Sequence, residues 1–451
     1  MMKTLVVIGG GLAGTEAAWQ AAELGVPVRL YEMRPARNTP AHVSDRLAEL
    51  VCSNSLGSVI SAKAPGLLKA EMRGLSSLIL SCAQKTAVPA GSSLAVDRDS
   101  FAAAVTESIE NHPNISIIRE EVKDIPNETC IIASGPLTSE ALTASISSLS
   151  GNDYLYFYDA LSPIVSLESI DMESAFRASR HDAGLQEEGD YINCPLNEEE
   201  YESFTLQILG AEQISLRGFE REDASFFEGC LPVEEIANRG ADSLRFGPMR
   251  PIGLINPHTG DRPYAVLQLR QDNLAGTLYN IVGFQTNLKW GEQKRVLRMV
   301  PGLLNAEFMR YGMMHRNTYI NSPELLQPTM QYRGRADLFF AGQIVGAEGY
   351  VGNAATGLVA GLNAARSILG DHPVIFPTKT MIGAICHYVT HAAAKNFQPM
   401  KPNFGLLPMP EQRMQKPERY RYYRDRSLTM LRRFCRERGI AYNRDLAEEA
   451  A

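Results

Sequence analysis

Three glycines close to the start of the chain, Gly9, Gly11 and Gly14, follow an apolar run over residues 4–8, and Glu32 ends a second such run, Val28 to Tyr31. A strand that runs into Gly-x-Gly-x-x-Gly, then a helix, then a strand closed by an acid has the parts needed to bind a dinucleotide. Gly9 permits the tight turn, Gly11 lets the backbone approach a pyrophosphate, and Gly14 lets the helix pack close to the sheet. Gly10 lies in the same loop, and the helix entered through Leu12 and Ala13 offers free N–H groups and partial positive charge to the phosphates. Glu32 stands where a carboxylate accepts hydrogen bonds from ribose hydroxyls. A second chemistry, that of a nucleophilic thiol, is open to two of the seven cysteines. Cys52 in ELVCSNS and Cys230 in FFEGCLPVEE sit among Gly, Ser, Asn and Pro rather than in a continuous apolar run, as a reactive thiol should. A small inert core residue is the competing reading for both. Cys82, Cys130 and Cys386 lie in apolar segments and read as structural; Cys194 and Cys435 carry no signal.

The elements that must position these groups follow from the pattern along the chain. Residues 1–32 form a first βαβ unit. Residues 33–66 are poor in helix signals and rich in Pro, Ser, Asn and Gly, a loop long enough to be functional. Apolar residues at helical spacing return in GLLKAEMRGLSSLILSCA, and Asp97 or Asp99 caps the next helix. ISII (115–118) and CIIASGP (130–136) read as buried strands. Near Tyr154 the pattern changes to short aromatic and aliphatic runs with many Pro and Gly and no second Gly-x-Gly-x-x-Gly. The α/β pattern resumes at ADLFFAGQIVGAEGYVGNAATGLVAGLNAARSILG. The division expected is therefore 1–153, 154–325 and 326–451. The fold class expected is α/β: a split Rossmann-type FAD-binding domain, glutathione-reductase-like, with an inserted α+β domain and a helical basic tail.

A split nucleotide domain favours FAD over NAD, because the flavin end of so long a cofactor needs a second anchor. Ala341, Gly342 and Gln343 then meet the ribityl chain or pyrophosphate. The loop carrying Gly349, Tyr350, Gly352 and Asn353 leads to a helix expected to start near Ala354, its N-terminus toward the flavin pyrimidine carbonyl. Many flavoproteins of this type have Asp where Gln343 stands, which weakens transfer of that residue's polar role.

With 451 residues, 45% of them apolar, the chain can bury a full core. No stretch is long and apolar enough to span a bilayer, and the LVVI run is too short for a signal segment. The cysteines show neither Cys-x-x-Cys nor paired zinc-ligand spacing, so no metal is expected, and their odd number suits a reducing cytoplasm. The net charge of −7 hides an asymmetry: Arg413–Arg438 holds ten Lys or Arg against three Asp or Glu. Tyr420, Tyr422 and Tyr423 interleave with Arg419, Arg421 and Arg424 there, a composition that can hold a phosphate backbone and stack on bases, or form a solvated, ion-paired helix.

GGGLAGTEAA, AELVCSNSLGS, GLLKAEMR, LAVDRDSF, FFEGCLPVEEIA, FGPMRPIGL and LFFAGQIVGAEGYVGNAATGL, in that order, resemble the folate- and FAD-dependent tRNA (uracil-5-)-methyltransferases, the TrmFO family. The larger GidA-type flavoproteins that modify wobble uridine are similar. The resemblance implies 5-methyluridine formation in the T-loop of tRNA, with carbon from 5,10-methylenetetrahydrofolate and reducing equivalents from FAD reduced by NAD(P)H. It makes Cys230 the nucleophile toward uracil and Cys52 the second thiol, acting in acid/base chemistry or guarding the reactive intermediate. It leaves open whether the methylene passes through a flavin adduct. Tyr350 becomes a platform for the folate pterin or an ordinary packing residue. Lys69, Arg73, Asp97 and Arg98 line the site, hold its loops or form simple salt bridges. The target uridine must be flipped out for thiol attack, and the basic tail is expected to contribute phosphate contacts. Two further readings stand beside this one: a flavin oxidoreductase acting on a small molecule, and an RNA-binding protein stabilised by FAD.

Overall fold

The first apolar run folds as β1 (Leu5–Ile8), buried at every position, and leads through Gly9–Gly11 into α1 (Leu12–Glu23) and then β2 (Val28–Tyr31). The structure, a computed structural model, describes residues 3–39, 41–150, 155–180, 189–214, 231–312 and 314–448. After β2 come β3 (Ser55–Ser58), α2 (Ala64–Gly74), α3 (Leu78–Lys85), β4 (Ala87–Val88), β5 (Ser93–Val96) and α4 (Arg98–Glu110). The strands β3, β5 and β4 form a small antiparallel sheet, so the segment expected to be loop up to residue 66 contains one edge strand. Asp97 is the cap of α4, its carboxylate accepting the Ser100 amide at 2.8 Å. β6 (Ile115–Ile118), β7 (Cys130–Ile132) and α5 (Glu140–Ser150) complete this part.

A two-stranded ribbon then carries the chain out and back. β8 (Leu155–Ala160) pairs antiparallel with β15 (Met314–Tyr319), Leu155 opposite Tyr319. Between them lie β9 (Ile164–Ser166), β10 (Phe176–Ala178), β11 (Tyr191–Leu196), α6 (Glu198–Gly210), α7 (Val233–Asn238), α8 (Ser243–Phe246), β12 (Ala265–Gln271), β13 (Leu278–Ile281), α9 (Trp290–Leu297) and β14 (Phe308–Arg310). Their strands form an antiparallel sheet in the order β10-β11-β12-β13-β9-β14, with a hydrophobic core of its own. The return consists of α10 (Ser322–Leu325), β16 (Gln331–Tyr332), β17 (Arg335–Phe340), α11 (Tyr350–Leu369), α12 (Met381–His391), α13 (Lys416–Arg438) and α14 (Arg444–Glu448). β17 rejoins the first sheet, whose order is β16-β17-β7-β1-β2-β6, all parallel except the β16 edge. The fold is thus α/β, a Rossmann-type domain interrupted by an antiparallel unit.

Two features fix this domain's geometry. Ile8 is level with Tyr31 and with Ile132, and Ile132 with Phe340, so β1, β2, β7 and β17 all end at one edge. The chain order reverses between β1 and β7, the crevice where open α/β sheets take ligands. Above it α1 crosses α11 at backbone contact. A Cβ on Gly357 would overlap the Ala13 carbonyl, and one on Gly361 the Ala17 carbonyl. The small-residue face of α11 exists for this crossing. The helix itself begins at Tyr350, not near Ala354 as expected, with Gly349 as its cap at φ +82° and the Asn353 amide already bonded to the Gly349 carbonyl at 3.0 Å. Glycines disguise a first turn because they favour helix poorly; here burial of that turn outweighs propensity.

Candidate active site

Gly9, at φ +107°, makes the turn out of β1, and Cβ atoms at Gly9 and Gly14 would overlap the Ala133 and Gly9 carbonyls respectively. Gly11 differs: a Cβ there would meet no protein atom within 4 Å. Its backbone faces a cavity of about 1040 Å³ of atom-free space, lined by Gly9–Ala13, Glu32, Arg34, Ala133–Thr138, Gly342 and Gln343. Gly14 supports this loop from behind. Glu32 reaches the loop from the end of β2. Its Oε2 accepts the Gly10 amide at 3.0 Å and its Oε1 accepts the Arg34 amide at 3.0 Å and Nε at 2.9 Å. Burial alone would raise its pKa, but the Arg34 guanidinium and these amides together hold the carboxyl below the usual carboxylate range.

A second cavity, about 1430 Å³ of atom-free space, continues from the first and shares Val51, Pro136, Leu137, Gln343, Tyr350 and Asn353 with it. Cys52, Ser53, Arg270, Glu348, Gly349, Gly352 and Lys401 line it as well. Cys52 is only partly buried, whereas the other five described cysteines are buried. Burial pushes Cys130, Cys194, Cys386 and Cys435 up to about 12 and raises Cys82, which makes all five poor nucleophiles at neutral pH. Cys230 lies outside the described residues.

Tyr350, in the first turn of α11, accepts the amides of Cys52 at 2.8 Å and Ser53 at 3.1 Å on its hydroxyl. It therefore anchors the thiol's loop as well as lining both cavities. Asn353, one helical turn on, has its Oδ1 buried with no hydrogen-bond partner among the described residues. Gln343 donates to Glu348 Oε2 at 3.1 Å, so a buried carboxylate stands five residues beyond the position where many flavoproteins of this type have Asp and this chain has Gln.

The four polar residues singled out earlier line neither cavity. Lys69 Nζ, buried at the α2 surface, donates to the carbonyls of Ser58 (2.8 Å), Gly57 (3.2 Å) and Pro65 (3.4 Å). Burial, with the charge of Arg73 adding to it, pushes Lys69 down to about 7. It holds the loop whose Gly57 and Pro65 face the second cavity. Asp97 accepts the Leu274 amide at 2.7 Å besides capping α4, and so joins the inserted unit to the nucleotide unit. Arg98 pairs with Asp272 at 3.1 Å. Arg419, Arg421 and Arg424 lie on α13, which buries Tyr423, Ser427, Leu431, Phe434 and Cys435 and turns Arg421 to solvent. Arg424 is ion-paired to Asp425. Tyr420 and Tyr423 pack on Phe404.

Arg270, Arg310, Arg34 and Glu348 were not foreseen. Glu348 stood within the GAEGYVGN segment and was legible as an acid in a glycine-rich loop. Arg270 and Arg310 had no local signal, because each is one charge in a strand remote in sequence from the site.

Residues 4–372 match the family described as glucose inhibited division protein A. The chain is 57% identical over 427 residues to a Bacillus subtilis protein named methylenetetrahydrofolate–tRNA-(uracil-5-)-methyltransferase TrmFO, covering 94% of this chain and 97% of that one. A protein of the same name from Enterococcus faecalis is 56% identical over 429 residues, covering 95% and 98%. Among solved structures, Aquifex aeolicus GidA superimposes with a TM-score of 0.72 at 18% identity, covering 100% of this chain and 78% of that one, a likeness of fold. Identity of this extent over nearly the whole of both chains leads to one conclusion: the chain belongs to the TrmFO family, within the wider group of GidA-like proteins.

Proposed function

We infer that this protein is a tRNA (uracil-5-)-methyltransferase that takes its one-carbon unit from methylenetetrahydrofolate and uses FAD. The observation that carries the reading is the continuity of the two cavities: the Gly9–Ala13 cradle opens into a space lined by the single partly exposed cysteine among the described residues. The residues present fit the cofactor. Open space at Gly11 suits a pyrophosphate, Glu32 suits a ribose, and the unpartnered Asn353 Oδ1 at the start of α11 suits a polar group of the flavin end. Gly342, Gln343, Gly349, Tyr350 and Gly352 would hold that end. When bound, FAD reduced by NAD(P)H supplies the reducing equivalents that turn methylene into methyl.

The chain's own residues do the rest. Uracil carbon 5 is a poor nucleophile. Addition of the Cys230 thiolate to carbon 6 would give carbon 5 the carbanion character needed to attack a methylene electrophile. Cys52 is then the group that takes up the carbon 5 proton, so that the methylene carbon parts from its carrier amine and stays on carbon 5 as an exocyclic methylene; once two electrons and a proton have reduced it to methyl, the double bond between carbons 5 and 6 re-forms and the Cys230 thiolate leaves. Apolar lining from Val51, Leu56, Leu137 and Leu161 keeps water from the electrophile.

We read residues 1–153 and 326–451 as the FAD-binding domain and 154–325 as the substrate-side domain, acting in the cytoplasm. α13 is read as the phosphate-contacting surface for tRNA. Its Tyr420 packs on Phe404, close to Lys401 and Pro402 of the second cavity. The test is transfer of label from methylenetetrahydrofolate into unmodified tRNA, with and without nicotinamide. Cys230→Ala and Cys52→Ala should each abolish transfer while flavin stays bound. Methylation at the normal rate in either variant would remove that residue's assigned role, and a flavoprotein that carries no label into tRNA would leave the small-molecule oxidoreductase as the better reading.

A further inference from the structure

Five consecutive residues around Cys52 are each held by a guanidinium. Arg98 donates from Nη1 to the Leu50 carbonyl at 2.7 Å and from Nη2 to the Cys52 carbonyl at 3.0 Å. Arg310 donates to the Val51 carbonyl at 3.1 Å. Arg270 donates to Ser53 Oγ at 3.0 Å and to Asn54 Oδ1 at 2.9 Å. Tyr350 takes the amides of Cys52 and Ser53. The three arginines come from different elements: Arg98 opens α4 in the nucleotide unit, while Arg270 is the last residue but one of β12 and Arg310 ends β14 in the inserted unit. Asp272, just after β12, pairs with Arg98 across the same boundary.

Water or a few amides would satisfy these carbonyls. Placing one buried and two half-buried cations there instead is costly unless the charge itself is useful. Burial lowers the pKa of Arg270 and of Arg310; for Arg98 burial acts the same way, but Asp272 outweighs it and the net shift is upward. Charged and titratable groups against the segment include Arg98, Arg270, Arg310, Asp272 and Tyr350, with Glu348 and Lys401 lining the same cavity as Cys52 and Asp97 engaged on the Ser100 and Leu274 amides. Held on the Leu50–Asn54 segment by these hydrogen bonds, the three guanidinium groups place positive charge beside Cys52, the kind of setting in which a thiolate is stabilised.

We propose that Arg98, Arg270 and Arg310 form a positioning clamp through which docking of the inserted unit on the nucleotide unit sets where Cys52 sits and surrounds its sulfur with positive charge. The thiol is competent only in the docked arrangement. The proposal rests on Cys52 being a working thiol of the proposed reaction, and the test separates the two. In the flavin-loaded enzyme, iodoacetamide labelling of Cys52 is followed by peptide mass spectrometry as a function of pH. Arg310→Met should keep its flavin spectrum, label Cys52 about tenfold more slowly at neutral pH and need a higher pH to reach half-maximal rate. It should lower kcat for methyl transfer and leave KM for tRNA little changed. Arg310→Lys should recover most of the labelling rate. If Arg310→Met does not fold, Arg98→Gln, which removes one charge while keeping an amide donor for the loop, should slow labelling several-fold. Wild-type rate and pH profile in Arg310→Met and in Arg98→Gln would overturn the clamp. Altered labelling together with normal methylation by Cys52→Ala would leave the clamp standing and remove Cys52 from the reaction.

Discussion

Gly11 and Gly14 belong to one motif, yet the structure separates what each glycine is for. Gly11 has φ −77° and ψ −171°, backbone that any residue adopts, and a Cβ there meets no protein atom within 4 Å. Gly11→Ala should therefore leave the empty protein as stable as before or up to about 1 kcal/mol more stable, because the unfolded chain loses freedom. The new atoms instead enter the space assigned to the pyrophosphate. With Gly11→Val the overlap falls on the ligand, and an overpacking cost of about 1–3 kcal/mol corresponds to roughly 5- to 150-fold weaker FAD binding. Gly14→Ala reverses the balance. Its Cβ overlaps the Gly9 carbonyl, so about the same energy is lost from the fold itself. Denaturant unfolding of the flavin-free proteins, and flavin absorbance per chain after gel filtration, read the two effects separately. A Gly11→Val protein that purifies with the full wild-type flavin content, or that loses as much stability as Gly14→Ala, refutes the assignment of that space.

Three further outcomes are expected. Burial pushes Glu71 up to about 7, against the opposing bonds from Ser427 and the Met381 and Ile382 amides. The folded chain then holds a proton that the unfolded chain has released, so stability should fall as pH rises from about 4.5 to 7, by up to about 3 kcal/mol, and Glu71→Gln should flatten that slope; an equal slope in the variant would show that other groups cause it. Gly361→Val drives a side chain into the Ala17 carbonyl at the α1–α11 crossing and should destabilise by several kcal/mol or prevent folding, whereas Gly370→Ala, past the helix end with open space around it, should cost only the strain of φ +90°. Replacing Arg419, Arg421 and Arg424 together by Gln should weaken tRNA binding and reduce its salt slope by about 2, while melting temperature stays near wild type; an unchanged slope assigns the tail to folding.

The parts of the site that the sequence made legible are those built by neighbours in the chain. The turn at Gly9, the close packing at Gly14, the cap at Asp97 and the strand DLFFAG all follow from residues a few positions apart, whose spacing decides local backbone geometry. The start of α11 was misread because glycine content reports intrinsic propensity, while burial of the first turn decides where the helix begins. Lys69 and Arg98 were read as lining the site, holding its loops or forming salt bridges; both hold loops through backbone carbonyls, and Arg98 is ion-paired to Asp272 as well, a choice among the three that spacing does not make.

By itself the amino-acid pattern pointed to the dinucleotide cradle and to the split of its domain around an inserted α+β unit, and the family resemblance added the two thiols to test. Only the tertiary structure decided that Cys52 is the partly exposed cysteine among those described, that it opens onto the same cavity system as Gly11, and that Arg270 and Arg310 hold its loop. The reason is range. A turn or a cap is fixed by forces acting within a few residues, whereas burial of a sulfur and the arrival of a guanidinium from more than two hundred residues away depend on how two sheets dock.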